Sequence, residues 1–284
     1  GHHPACAVAP RSEQVDGSMK SGSHIGALRA LWIVTILVFL YIPIVSVVLA
    51  SMANTRYMRF PHKVWTLDAY REAIASFTTW QIHSISFWIA FFVVIFAVVL
   101  GTLGAVAFAR FDWRGRSFYQ RLLVLPIFFP QPVLGLALLL SLNAAGFSPS
   151  WKTAIFAHLV WIVPIVTLVI SIRFFGYDPA QEEAARDLGA NSWQVVREIT
   201  LPALWPGIFS GGLFAFLLSW SNLPLSIYTS GPDTPLPVWL FTRTATNYSP
   251  LVPSVAVIGT LVSAALVVSL AFAMFVVRRV QGRF

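Results

Sequence analysis

The 284-residue chain is 57% hydrophobic and only 11% charged, with a mean hydropathy of +0.74 and a formal net charge of +8. Soluble domains carry roughly a quarter charged residues, so this balance excludes an ordinary water-soluble globule. The single cysteine, Cys6, excludes an intrachain disulfide and a multi-thiolate metal site.

Residues 1–24 read as a disordered N-terminal tail or tag remnant, polar and Pro/Gly-containing ahead of Met19, with His2-His3 as a tag scar. A membrane-crossing helix needs about 20 apolar residues. Six windows qualify within residues 25–284: 28–51, 84–109, 119–142, 151–173, 204–228 and 253–277. The first is a full span in length, which speaks against a cleavable leader. None shows the ten-residue alternation of barrel strands, so each closes its backbone hydrogen bonds as a helix. The expected fold is an all-α membrane protein with six transmembrane helices. Placing both termini in the cytoplasm puts 13 Lys and Arg residues inside and 6 outside. That is the asymmetry of the positive-inside rule, and it accounts for the basic charge without nucleic acid.

After the first span, residues 53–83 are expected outside the membrane. Their "WTLDAYREAI" reads as a short amphipathic helix capped by Thr66, with Tyr70, Ala73 and Ile74 on one face. It suits a surface that meets another protein, or an interfacial helix anchored by Trp65 and Tyr70. The second span offers Gly101, Gly104 and Ala105 for close helix packing and ends in the basic turn Asp112–Arg116. The third carries Pro126, Pro130 and Pro132. Breaks of this kind border transport pathways or simply kink a packed helix, which makes Pro130 a pathway candidate. In the fourth, His158 is a candidate because ionisable groups inside spans are costly, although no acid accompanies it. The fifth closes on a polar break, giving Trp220, Ser221, Asn222 and Tyr228 as further pathway candidates. A turn at Thr229–Asp233 follows, and then a short external helix or re-entrant segment from Leu236.

Between spans four and five lies a polar helix–turn–helix at 178–202. Asp178-Pro179 with Gln181 reads as a cap, an N1 proline and a capping box. Gly189 supplies the left-handed stop. Asn191 with Gln194 caps a second helix, which Leu201-Pro202 is expected to end. The alanines leave a face that another protein can approach closely, flanked by Glu183 and Arg186 with their charge-assisted bonding capacity.

The spacing Glu183-Ala184-Ala185, three residues, Gly189, nine residues, Ile199, one residue, Leu201-Pro202 reproduces the E-A-A loop of ABC importer permeases. The chain resembles that binding-protein-dependent, type I (MetI-like) family over about residues 25–282. The "A-R-x-x-F/W-x-G-R" turn at 109–116 is a weaker likeness of the same kind. The resemblance implies the type I permease fold with cytoplasmic coupling helices, in a multi-pass protein of the bacterial inner membrane. It implies that Glu183, Ala184, Ala185, Arg186 and Gly189 couple to an ATP-binding subunit dimer. It also implies a second, different permease chain and an extracytoplasmic solute-binding protein. ATP and Mg would sit on the partner ATPase, with no cofactor, metal or catalytic residue on this chain.

The stretch 229–262 is similar to the second permease of spermidine/putrescine-type importers, which suggests a polyamine. Yet none of the eleven acids lies inside a predicted span, where a polycation would meet fixed negative charge. A neutral or zwitterionic solute, such as a sugar or aminoethylphosphonate, stays open. An ion-coupled carrier would call for intramembrane carboxylates, which are missing. No Walker A loop or hydrolase motif occurs, so this chain is not expected to hydrolyse ATP or to be an enzyme.

Overall fold

The computed structural model describes residues 16–53, 65–246 and 248–280, with no side-chain description for 16–27, 277, 278 and 280. Residues 1–15 of the expected irregular tail lie outside this set. Residues 16–24 are helical rather than irregular, because α1 spans Asp16–Ser51. Two compact units divide the chain, residues 1–50 and 51–284. The first holds α1, which from Leu28 onward is apolar on all sides, with Leu31 63% and Phe39 76% exposed. A helix that is hydrophobic all round is suited to lipid or to a protein neighbour.

The second unit is a helical bundle. Its elements are α2 (Asp68–Ala75), α3 (Phe77–Ala105), α4 (Arg116–Phe128), α5 (Gln131–Ala144), α6 (Trp151–Phe175), α7 (Ala180–Asp187), α8 (Ser192–Val195), α9 (Leu201–Trp220), α10 (Leu223–Thr229), α11 (Leu236–Thr246) and α12 (Leu251–Val280). Two five-residue π-helical segments extend it: Val106–Arg110 continues α3, and Val196–Thr200 joins α8 to α9. Among the described residues, five helices are long and apolar enough to cross a membrane, and a bent pair makes a sixth.

The core lies where α3, α6 and α9 meet, around Ile89, Val93, Ile162, Val166, Ile170 and Ala215. Small residues allow that approach. A Cβ added at Gly101 would stand 2.6 Å from Val166 Cγ1, and one at Gly104 2.8 Å from Thr167 Oγ1. On α2, Ala73 is buried and Tyr70 reaches Ser51 at 2.5 Å. Ile74 is 56% exposed, so it does not share their face as expected.

The second span begins at Phe77 rather than 84, and two others differ more from the hydropathy windows. The third, expected as 119–142, is α4 plus α5, bent by 105° at Phe129-Pro130. A residue before proline is driven out of the helical region, and Phe129 takes φ −73°, ψ 134°. The fifth, expected as 204–228, ends at Trp220. Asn222 turns extended and its Oδ1 accepts from Leu225 N at 3.1 Å, starting α10 as a separate helix. α10 packs on α5 across Gly135, where a Cβ would stand 2.9 Å from both Pro224 O and Tyr228 Cδ2.

Candidate functional site

The loop between α6 and α9 is built by its local sequence. Asp178 Oδ1 accepts from Ala180 N at 3.0 Å, one residue short of the Gln181 position that a capping box would use. At the other end Gly189 takes φ +90°, Gly189 N donates to Arg186 O at 2.9 Å and Ala190 N to Ala185 O at 3.0 Å. This is the paired bonding of a Schellman stop, and it needs a left-handed residue. The next helix starts on a reciprocal cap: Gln194 N donates to Asn191 Oδ1 at 2.9 Å and Asn191 N to Gln194 Oε1 at 2.8 Å.

Leu201-Pro202 does not end that helix. The backbone runs from Ser192 through the π-helical segment to Trp220 without a break. Pro202 sits in the first turn of α9, where a missing N–H is tolerated.

Of the coupling candidates, Glu183, Ala184, Arg186 and Gly189 are exposed and Ala185 is half-buried. Beside them Leu188 is 90% and Trp193 70% exposed, two large apolar side chains on an otherwise polar hairpin. Arg186 leans towards Glu182, 3.8 Å away on the same helix, rather than forming a pair with Glu183.

Glu182, which sequence reasoning passed over, is only 4% exposed. Its Oε2 accepts from Arg110 Nη2 at the end of the α3 extension. Its Oε1 accepts from Thr200 Oγ1 at 2.6 Å, at the end of the segment leading into α9. Burial pushes the Glu182 pKa up. The Arg110 and Thr200 hydrogen bonds, the Arg110 charge and the Tyr177 hydroxyl outweigh it and hold the carboxyl below its ordinary value. Tyr177 in turn is raised, by burial first and by the neighbouring Glu182 charge second. A cavity of about 250 Å³ lies alongside, walled by Phe111, Phe174, Tyr177 and Pro179. The only sequence signal for this cluster is the i,i+4 spacing of Glu182 and Arg186.

The pathway candidates gather near the junction of α5, α6, α9 and α10 without lining one common cavity. His158 is 1% exposed, with Nδ1 2.9 Å from Ser219 Oγ and Nε2 2.9 Å from Ser226 Oγ. It therefore ties α6 to α9 and α10 across the polar break. Asn222 is buried as the α10 cap, Ser221 is exposed and bonds Leu217 O at 2.8 Å, and Tyr228 rests half-buried over Gly135. Pro130 is exposed at the α4–α5 break. Trp220 stacks on Phe216 and faces a separate apolar cavity of about 280 Å³ with Trp80, His83 and Phe87. Among the described residues no cluster of three or more His, Cys, Asp or Glu is placed to hold a metal ion.

Residues 97–282 match the family described as binding-protein-dependent transport system inner membrane component. The chain is 32% identical over 244 residues to the spermidine/putrescine transport system permease protein PotC of Haemophilus influenzae, covering 85% of this chain and 94% of that one. It is 31% identical over 246 residues to the putrescine transport system permease protein PotI of Escherichia coli K12, covering 82% and 87%. The fold is similar to a chain in the crystal structure of a bacterial alginate ABC transporter in complex with a periplasmic protein bound to alginate pentasaccharide. The TM-score there is 0.68 at 18% identity, covering 94% of this chain and 98% of that one.

Proposed function

The chain belongs to the family of binding-protein-dependent transport system inner membrane components, and from that premise we propose that it forms half of the translocation pathway of an ATP-driven importer. Its 178–202 loop docks on a separate ATP-binding subunit dimer, which supplies ATP, Mg and hydrolysis. A second permease chain completes the pathway and an extracytoplasmic binding protein delivers the solute. The N- and C-termini lie on the cytoplasmic side, as the distribution of Lys and Arg favours.

The observation that carries the coupling role is the hairpin tip. Glu183, Ala184 and Gly189 are exposed there, and Leu188 and Trp193 stand out beside them. Exposed apolar side chains on a capped, otherwise charged hairpin mark a protein-binding surface.

The solute reading is a polyamine, supported by the two relatives' names and by their near full-length overlap. A neutral or zwitterionic solute is the second reading. No Asp or Glu lies in 28–51, 77–110, 116–175, 201–220 or 251–276, and a cation of charge two or three would cross these segments without fixed counter-charge. Both readings are tested by reconstituting the complex with its binding protein. Uptake of spermidine and putrescine is compared with that of a neutral sugar and 2-aminoethylphosphonate. Polyamine uptake that needs ATP, and that Glu183→Ala or Gly189→Asp abolishes while the spans still insert, supports the proposal. Uptake that persists in Gly189→Asp refutes the coupling assignment.

A further inference from the structure

We infer that Glu182 is the positioning residue that makes the loop helix α7 rigid with the ends of α3 and α9. A displacement received on α7 then reaches two transmembrane helices besides α6. The inference rests on the coupling role proposed above and adds how the force would leave the loop.

α7 is joined to the chain through Gly176–Asp178 on one side and Gly189-Ala190 on the other. A Cβ at Gly176 or Gly189 would meet nothing within 4 Å, so neither glycine is itself packed, and at the first joint Tyr177 turns towards Glu182 as well. Nor does an apolar face hold the helix, because Glu182 is the one buried residue of α7. The anchor is a carboxylate, and each of its two long-range partners closes a π-helical segment. Arg110 is the last residue of Val106–Arg110 and Thr200 the last of Val196–Thr200.

Charge-assisted bonds of this kind are strong and directional. Parting from Arg110 would leave the Glu182 carboxylate buried without its closest counter-charge. π-Helical turns are uncommon and concentrate at functional positions. One carboxylate therefore pins the ends of both π-helical segments to the helix that meets the partner. Without it, the open glycines at the two joints would absorb the motion.

The test uses the assembled transporter with Cys6→Ser as background and spin labels at Ala180→Cys on α7 and Arg114→Cys after the α3 extension. Double electron–electron resonance should give one narrow distance distribution, unchanged when Mg-ATP and vanadate trap the ATPase. Glu182→Gln should broaden or shift it while the ATP-binding subunit still co-purifies. In parallel, spermidine imported per ATP hydrolysed should fall at least fivefold in Glu182→Gln and in Arg110→Gln. The double variant should be no worse than either single, since both act through one bond. Thr200→Ser should match the parent and Thr200→Val should lie between. A distribution equally narrow and trap-independent in Glu182→Gln, or losses that multiply in the double variant, overturns the inference. Absence of spermidine uptake by the parent would instead refute the polyamine reading, and the distance measurement would still decide the role of Glu182.

Discussion

Alanine at Gly189 and alanine at Gly176 should have opposite effects, although Gly189 follows α7 and Gly176 ends α6 shortly before it, both in open surroundings. A Cβ at either meets nothing within 4 Å, so steric contact is removed from the comparison. What differs is the backbone: φ is +90° at Gly189 and −98° at Gly176. An L-residue in the left-handed region costs about 1–2 kcal/mol. At Gly176 alanine can adopt the native angles, and restricting the unfolded chain should stabilise by about 0.4–1 kcal/mol. The Gly189 penalty falls on the two bonds of the Schellman stop, Gly189 N to Arg186 O and Ala190 N to Ala185 O. Each such bond is worth about 1 kcal/mol net, so the strain is of the same size as the stop itself. Hydrogen–deuterium exchange of the Gly189 and Ala190 amides in the assembled transporter reads this directly. Gly189→Ala should accelerate exchange roughly 5- to 30-fold, since about 1.4 kcal/mol is tenfold. Gly189→Asn should do less, because asparagine tolerates that region. Gly176→Ala should leave the rates unchanged or slower. Equal acceleration by Ala at both positions, or an Asn variant as fast as Ala, would refute the strain argument.

Two further outcomes follow from the buried polar contacts. The depressed pKa of Glu182 means that the folded state binds its proton less tightly than the unfolded chain does. Its contribution is therefore complete above the unfolded carboxylate value, near 4.3, and lost as pH falls through the lower folded value. Thermal unfolding in detergent should lose stability over that acidic window, and Glu182→Gln should flatten the loss. His158→Leu should cost about 1–3 kcal/mol for each serine left buried without a partner. His158→Leu with Ser219→Ala and Ser226→Ala should be milder than His158→Leu alone in the same thermal assay. A triple variant less stable than the single would show that the histidine acts through packing instead.

What could be read from the sequence is what is local. Asn191 and Gln194 are three residues apart and cap each other as their spacing requires, and Gly189 turns where only a left-handed residue can. The six apolar stretches are legible because hydropathy is a sum over neighbours. That sum is blind to direction, so 119–142 reads as one span although Phe129-Pro130 turns it through 105°. The three prolines differ by their positions: Pro126 stays within α4, Pro130 makes the break, and Pro132 fits the first turn of α5. Pro202 shows the same ambiguity, since a proline in a first turn and one after a last turn look alike in sequence. The Glu182 cluster is unreadable for another reason. Arg110 lies 72 residues away and Thr200 18 away, and nothing in either segment announces the other.

The π-helical segment at Val196–Thr200 also sets a bearing. Each residue of an α-helix turns the chain by about 100°, and a π turn carries one residue more than an α turn. The face of α8 that shows Trp193 is thereby set out of phase with the face of α9 that buries Leu204, Ile208 and Ala215. Winding the same five residues as a plain α-helix would swing the hairpin through most of that angle. Leu188 and Trp193 would then point elsewhere with every contact residue still present. The loop's aim is thus a matter of winding, and a π-to-α rewinding of this one segment redirects it without changing the chemistry of either surface.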